Sequence, residues 1–209
     1  MYLFLGALLT GLGLGWLRGG SLERLGQWPL RLAWLLPLAL AWEAGIVMVV
    51  GREAPSWVLP VHVGANLMLL AVVVANRRLP GLAVIGVGVL MNATVIALNG
   101  GLMPQAPETL YVKHRHQDVA IGQHAPQTKD VVLPHDQAHL WWLGDVLPTP
   151  PWSPKQTVVS PGDVVVAAGL AWTVMAMMRP GVARRRPVRS TRAVRPMRAM
   201  TAMRTVHQI

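Results

Sequence analysis

Five near-continuous apolar stretches, 1–17, 32–50, 61–75, 82–98 and 161–178, divide this chain, and its polar residues gather between them. Their lengths lie at or near the roughly 17–25 residues that a helix needs to cross a bilayer. The pattern predicts an all-α integral membrane protein, a bundle of about five transmembrane helices. It also predicts four regions. Residues 1–98 form a four-helix membrane region and 99–160 an extracytoplasmic loop segment. Residues 161–178 are the fifth transmembrane helix, and 179–209 a disordered arginine-rich cytoplasmic tail. The first stretch has no positive charge before it, and its first charge, Arg18, comes after it. That order is opposite to a signal peptide's, so an uncleaved first helix with its N-terminus outside is expected. Gly11 and Gly15 within it are spaced for close approach of another backbone.

Composition agrees with the pattern. The chain is 53% hydrophobic and only 13% charged, the latter about half the share of a soluble domain. Its mean hydropathy is +0.40. Cysteine is absent, which excludes disulfides and thiolate metal sites. The net charge of +10 belongs mostly to the tail, where Arg186, Arg189, Arg192, Arg195 and Arg198 recur at every third position. Pro187 and Pro196 oppose a long helix there. The tail is expected to rest on anionic lipid headgroups. A docking arm for RNA, the ribosome or an acidic partner is the alternative, with nucleic acid the disfavoured partner.

Charge also sets the orientation, because short loops rich in Lys and Arg stay in the cytoplasm. With the N-terminus outside, Arg18, Arg24, Arg31, Arg77, Arg78 and the tail arginines all lie inside, while the outer segments hold only Arg52, Lys113, Arg115, Lys129 and Lys155. The C-terminus is then cytoplasmic and the 99–160 segment lies outside. The expected location is the bacterial inner membrane, crossed several times. Trp16, Trp28, Trp34, Trp57, Trp141, Trp142 and Trp152 fall near expected interfaces, as an aromatic belt does.

Candidate chemistry lies in three places. Glu43, Asn66 and Asn92 each sit six or seven residues from the outer end of a stretch, about 9–11 Å deep. His62 shares a helix face with Asn66, and Asn99 with Asn92. One reading is a polar chamber with Glu43 as proton acceptor or cation ligand. The other is interhelical hydrogen bonding alone. The outer segment holds a second set. His135 and His139 are four apart in PHDQAHLWWLGD, which predicts a short interfacial helix, and with His114 and His116 they are the candidate ligands for a divalent metal. No metalloenzyme signature accompanies them, and no other cofactor is implied. Third, Ser160-Pro161-Gly162-Asp163 reads as a helix start, with Ser160 as N-cap and Asp163 facing the positive end of the helix dipole. Asp145 has no such structural explanation.

The corner residues carry a resemblance. Asn99-Gly100-Gly101-Leu102-Met103-Pro104, then Leu143-Gly144-Asp145 and Ser160-Pro161-Gly162-Asp163, resemble an uncharacterised family of small bacterial membrane proteins. That family is known only as a domain of unknown function, with N-G-G-x-M-P, L-G-D and S-x-G-D motifs. Arg18-Gly19-Gly20 also fits it. The resemblance implies a helical membrane bundle and no activity. Neither the histidine stretch nor the tail belongs to the pattern.

Three functions are therefore weighed. The first is a non-catalytic membrane module, a scaffold, accessory subunit or small-ligand sensor with a possible protein partner in the membrane. The second is a small ion- or proton-coupled transporter built on the polar cluster at Glu43. The third is a metal-dependent membrane enzyme at the outer histidines. The Asn99 corner is expected to cap its helix, and its two glycine amides are a candidate seat for the Asp145 or Asp163 carboxylate.

Overall fold

The computed structural model describes residues 2–49, 56–113, 119–124, 128–154 and 156–179. Among them the chain is mostly helical: α1 (Tyr2–Leu17), α2 (Leu22–Leu25), α3 (Leu35–Val49), α4 (Val58–Ala75), α5 (Leu82–Leu98), α6 (Leu110–Lys113) and α7 (Pro161–Met177). Among the described residues, α4 is the one helix long and apolar enough, by length and composition, to cross a membrane. The apolar parts of α1, α3, α5 and α7 are shorter.

Two helices start away from their expected positions. Leu32 adopts a left-handed conformation, φ 57°, which ends any helix through it, so α3 begins at Leu35. Pro37 is then the third helical residue, where a missing N–H costs nothing because the first four have no intrahelical acceptor. Pro60 holds the same place in α4, which starts at Val58.

The helices pack in the order α1, α7, α5, α4, α3, so the last helix in sequence lies between the first and the fifth. Small residues allow the close approach. A Cβ added at Gly11 would lie 2.6 Å from the carbonyl oxygen of Ala171, and one at Gly15 would lie 2.6 Å from the sulfur of Met178. Between α5 and α7, a Cβ at Gly88 would meet the Gly162 carbonyl at 2.6 Å. At the far end of α7 the Trp28 indole N–H donates to the Met177 carbonyl (3.1 Å). Arg24 and the Ser21 amide donate to the Met178 carbonyl. These bonds satisfy carbonyls that a helix end leaves without partners.

The described residues of 99–160 form a cap over one end of the bundle, and they add short strands to the expected all-α fold. Strand β1 (Met103–Gln105) pairs in parallel with β2 (Asp130–Val132), Met103 opposite Asp130. On its other edge the Asp145 amide donates to Pro104 (2.8 Å). A second ladder joins β3 (Leu147–Pro148) to β4 (Val158–Val159) and leads into α7. The cause is burial. Val58, Leu102 and Val131 form one cluster, and Val95, Ile96, Met103 and Leu143 another, so the cap packs on the ends of α4 and α5. Each such side chain contributes about 1.5–3 kcal/mol. Backbone buried against helix ends must still pair its N–H and C=O groups, and short strands do this. The short helix expected over 134–144 is absent as well. Leu140 is left-handed, φ 53°, and only a single 3-10 turn, Trp141–Leu143, follows it.

Candidate functional site

Two asparagines set the ends of their helices in the same manner. Asn99, closing α5, donates to Val95 O one turn back (2.7 Å) and to His139 O (2.9 Å), while its side-chain oxygen accepts from His139 N (2.9 Å). Asn76, closing α4, donates to Val72 O (2.8 Å) and Arg31 O (2.8 Å), and accepts from Arg31 N (2.9 Å). Each amide clamps both backbone groups of one loop residue onto a helix end. After Asn99, Gly100 and Gly101 have φ values of 72° and 91°. The Gly101 amide returns to Ile96 O (2.9 Å), so that amide is taken and does not seat a carboxylate. A Cβ at Gly101 would collide with the backbone of Leu59, which joins the corner to α4.

Asn92 faces α7. It donates to Asp163 Oδ1 (2.8 Å) and its oxygen accepts from the Ser160 hydroxyl (2.9 Å). Ser160 and Asp163 form the expected capping box, and Asn92 bridges both members from the neighbouring helix. The polar residues placed at one depth therefore divide into two groups. Asn92 serves the α5–α7 seam, while Glu43, His62 and Asn66 gather between α3 and α4.

In that second group His62 is fully buried. Its Nδ1 meets the Gly101 carbonyl and its Nε2 lies 3.5 Å from Glu43 Oε2. Asn66 donates to the His62 carbonyl (2.9 Å). A carbonyl only accepts, so Nδ1 carries a proton. Nε2 then faces the Glu43 carboxyl group, the one close His–Glu approach between α3 and α4 among the described residues.

Lys129 completes the site from the cap and was read in the sequence only as one more outer positive charge. It is half-buried. Burial, the largest influence, pulls its pKa down, but the carboxylates of Glu43, Asp163, Asp145 and Asp130 push the other way and hold it above lysine's ordinary value. Asp130 and Asp145 are both buried in the small sheet. Asp145, which lacked a structural explanation, belongs to this charge cluster and to the edge of β1. One ammonium thus lies in the field of acids from α3, α7 and the cap. The adjacent acid in Thr128-Lys129-Asp130, ahead of an apolar run, was the available signal. Asn76 was missed too, though asparagine at a helix end is a capping cue.

Of the candidate histidine set, only His135 and His139 lie among the described residues, and there they do not converge. His135 stacks on Trp141 (centroids 4.0 Å) and approaches Glu108 at 3.5 Å. His139 is held through its backbone. His114 and His116 lie outside the described residues, and among the described residues no group of three or more candidate ligands is poised for a metal.

The N-G-G-x-M-P corner, the L-G-D strand edge and the S-x-G-D cap thus meet around one seam. A family model described as a family of unknown function, DUF5317, matches residues 27–175. The chain belongs to that family. The match takes in α3 to α5, the cap and nearly all of α7, and it leaves α1 and Arg18-Gly19-Gly20 outside. No curated protein and no solved structure matches the chain.

Proposed function

We propose that the chain is a multi-pass protein of the bacterial inner membrane with five spans, α1, α3, α4, α5 and α7. Its N-terminus is outside and its C-terminus is in the cytoplasm. It acts as a non-catalytic module, a scaffold, accessory subunit or small-ligand sensor, that presents a fixed cap on the outer face. Spans of 15 to 18 residues are accommodated by local thinning of the bilayer. Large apolar side chains on the outward helix faces, among them Leu9, Leu40, Leu67 and Leu90, support lipid contact. The observation that carries the functional reading is the commitment of the polar side chains. Asn92, Asn99, Ser160 and Asp163 all hold the cap or α7 in place, which is the work of a scaffold.

A second reading, a small ion- or proton-coupled carrier, rests on the approach of Glu43 to the buried His62 at 3.5 Å. Intramembrane acids mark proton paths often enough to require the test.

Because the chain has no cysteine, single cysteines map its topology cleanly. Gln137→Cys is expected to react with an impermeant maleimide added to spheroplasts, and Arg78→Cys only after lysis. The reverse pattern overturns the orientation. Purified protein in proteoliposomes is expected to carry no proton current under a pH gradient. A current abolished by Glu43→Gln replaces the module with the carrier.

A further inference from the structure

An apolar groove lies where α1 meets the turn into α2. Leu12, Gly13, Trp16, Leu22 and Met178 line it, and its volume is about 540 Å³, within the range of ligand clefts. It is separate from the Lys129 cluster and from the cap. Gly11 and Gly15 point into α7, but a Cβ at Gly13 would have nothing within 4 Å. The groove is the open face beside that contact.

The wall of the groove carries no charge, but Arg18 and Arg24 reach residues at or beside it. Among the described residues the Arg18 guanidinium reaches only the sulfur of Met175 (2.7 Å), a weak acceptor that leaves most of its five donors unused there. Arg24 spends one nitrogen on the carbonyls of Gly19 and Met178. Both arginines thus contact the last turns of α7, which border the groove. Glu23, the one acid in this turn, forms no ion pair among the described residues. On the five-span reading, this end of α1 sits at the cytoplasmic interface, where Trp16 belongs.

We propose that the groove is a binding site for one anionic phospholipid. An acyl chain lies along Leu12, Gly13 and Trp16, and the phosphate sits against Arg18 and Arg24. A chain alone would suit any lipid. The two guanidiniums without carboxylates select the anionic headgroup, since they supply planar, multidentate donors for phosphate oxygens. The lipid also joins α1 to α7 at the point where their contact ends. This inference rests on the proposed topology.

Native mass spectrometry of the full chain in mild detergent tests it, with equal amounts of dioleoyl phosphatidylglycerol and dioleoyl phosphatidylcholine. A one-to-one phosphatidylglycerol adduct is expected to outlast the phosphatidylcholine adduct. Gly13→Leu, at a position where an added Cβ meets nothing within 4 Å, fills the groove and removes the adduct. Arg18→Gln lowers the preference for phosphatidylglycerol about fivefold. Leu22→Asp, at an exposed position, places a negative charge at the mouth and lowers it as well, which keeps the test independent of any folding defect in Gly13→Leu. Equal retention of the two lipids overturns the proposal. So does a phosphatidylglycerol adduct unchanged in Gly13→Leu, which places the lipid on the arginine tail or the hydrophobic belt. Cysteine labelling that places the α1–α2 turn outside defeats the topology instead. Correct topology without the adduct defeats the lipid site alone.

Discussion

Beside the apolar contacts, one side chain, Asn99, ties the cap to α5 by hydrogen bonds. It makes three hydrogen bonds, two of them to His139, and neutral bonds contribute about 1 kcal/mol each. Asn99→Ala should therefore lower stability by about 1–3 kcal/mol. Limited proteolysis should begin in the cap, at 119–145. Asn76→Ala loses the same set of bonds at the opposite end, and should lower the melting temperature while leaving the cap resistant. Equal cap cleavage in both variants would show that the clamp does not hold the cap. Lys129 allows a different prediction. Its folded-state pKa lies above the ordinary 10.5, so the folded chain binds this proton more tightly than the unfolded one. That stabilisation is complete below the ordinary value and is lost as pH rises through the raised one. Lys129→Gln should cost about 1–3 kcal/mol at neutral pH, a value reduced because the side chain keeps some contact with solvent. In melting curves measured against pH, the gap between variant and parent should close only in the alkaline range above lysine's own.

For the helices, the glycines separate contact faces from open ones. Gly11→Ala forces a Cβ to 2.6 Å from the Ala171 backbone, and α1 must retreat from α7. Gly6 has nothing within 4 Å, so Gly6→Ala gains helix propensity without a clash, about 0.5–1 kcal/mol. Thermal melts in detergent should therefore shift in opposite directions for two substitutions five residues apart. The G-x-x-x-G spacing made the contact face legible from sequence. The capping box at Ser160 was legible for the same reason, since its residues act on their own helix turn. The cap was not. Its strands are two or three residues long and pair across gaps of ten to thirty residues, so no local periodicity marks them. PHDQAHLWWLGD has helical spacing, yet the clamp on His139 and the left-handed Leu140 override it. Lys129 was invisible for a related reason: its four acids come from α3, α7 and separate parts of the cap.

In the whole molecule, apolar lengths and arginine placement suffice to propose a topology, but not to place the helices beside one another. Short loops suggest that consecutive helices are neighbours, and this holds for α3, α4 and α5. It fails for α1, whose packing partner is α7. The Glu43–His62 pair and the Asn92 capping box both lie beneath the cap, so the best-connected polar groups are at one end of the bundle. The opposite end is basic and carries the groove. The flux experiment addresses the first end, the lipid experiment the second, and cysteine labelling both.

The position of α7 between α1 and α5 also bears on how the chain is made. The ribosome releases α1 well before α7. At about 5–20 residues per second, α1 waits on the order of ten seconds for its partner. Through that interval the notch at Gly11 and Gly15 stands open, and the apolar face of α5 meant for α7 is bare. Any premature stop before Pro161 leaves both surfaces exposed for good, so quality-control proteases meet an orphaned first helix and not a shortened bundle.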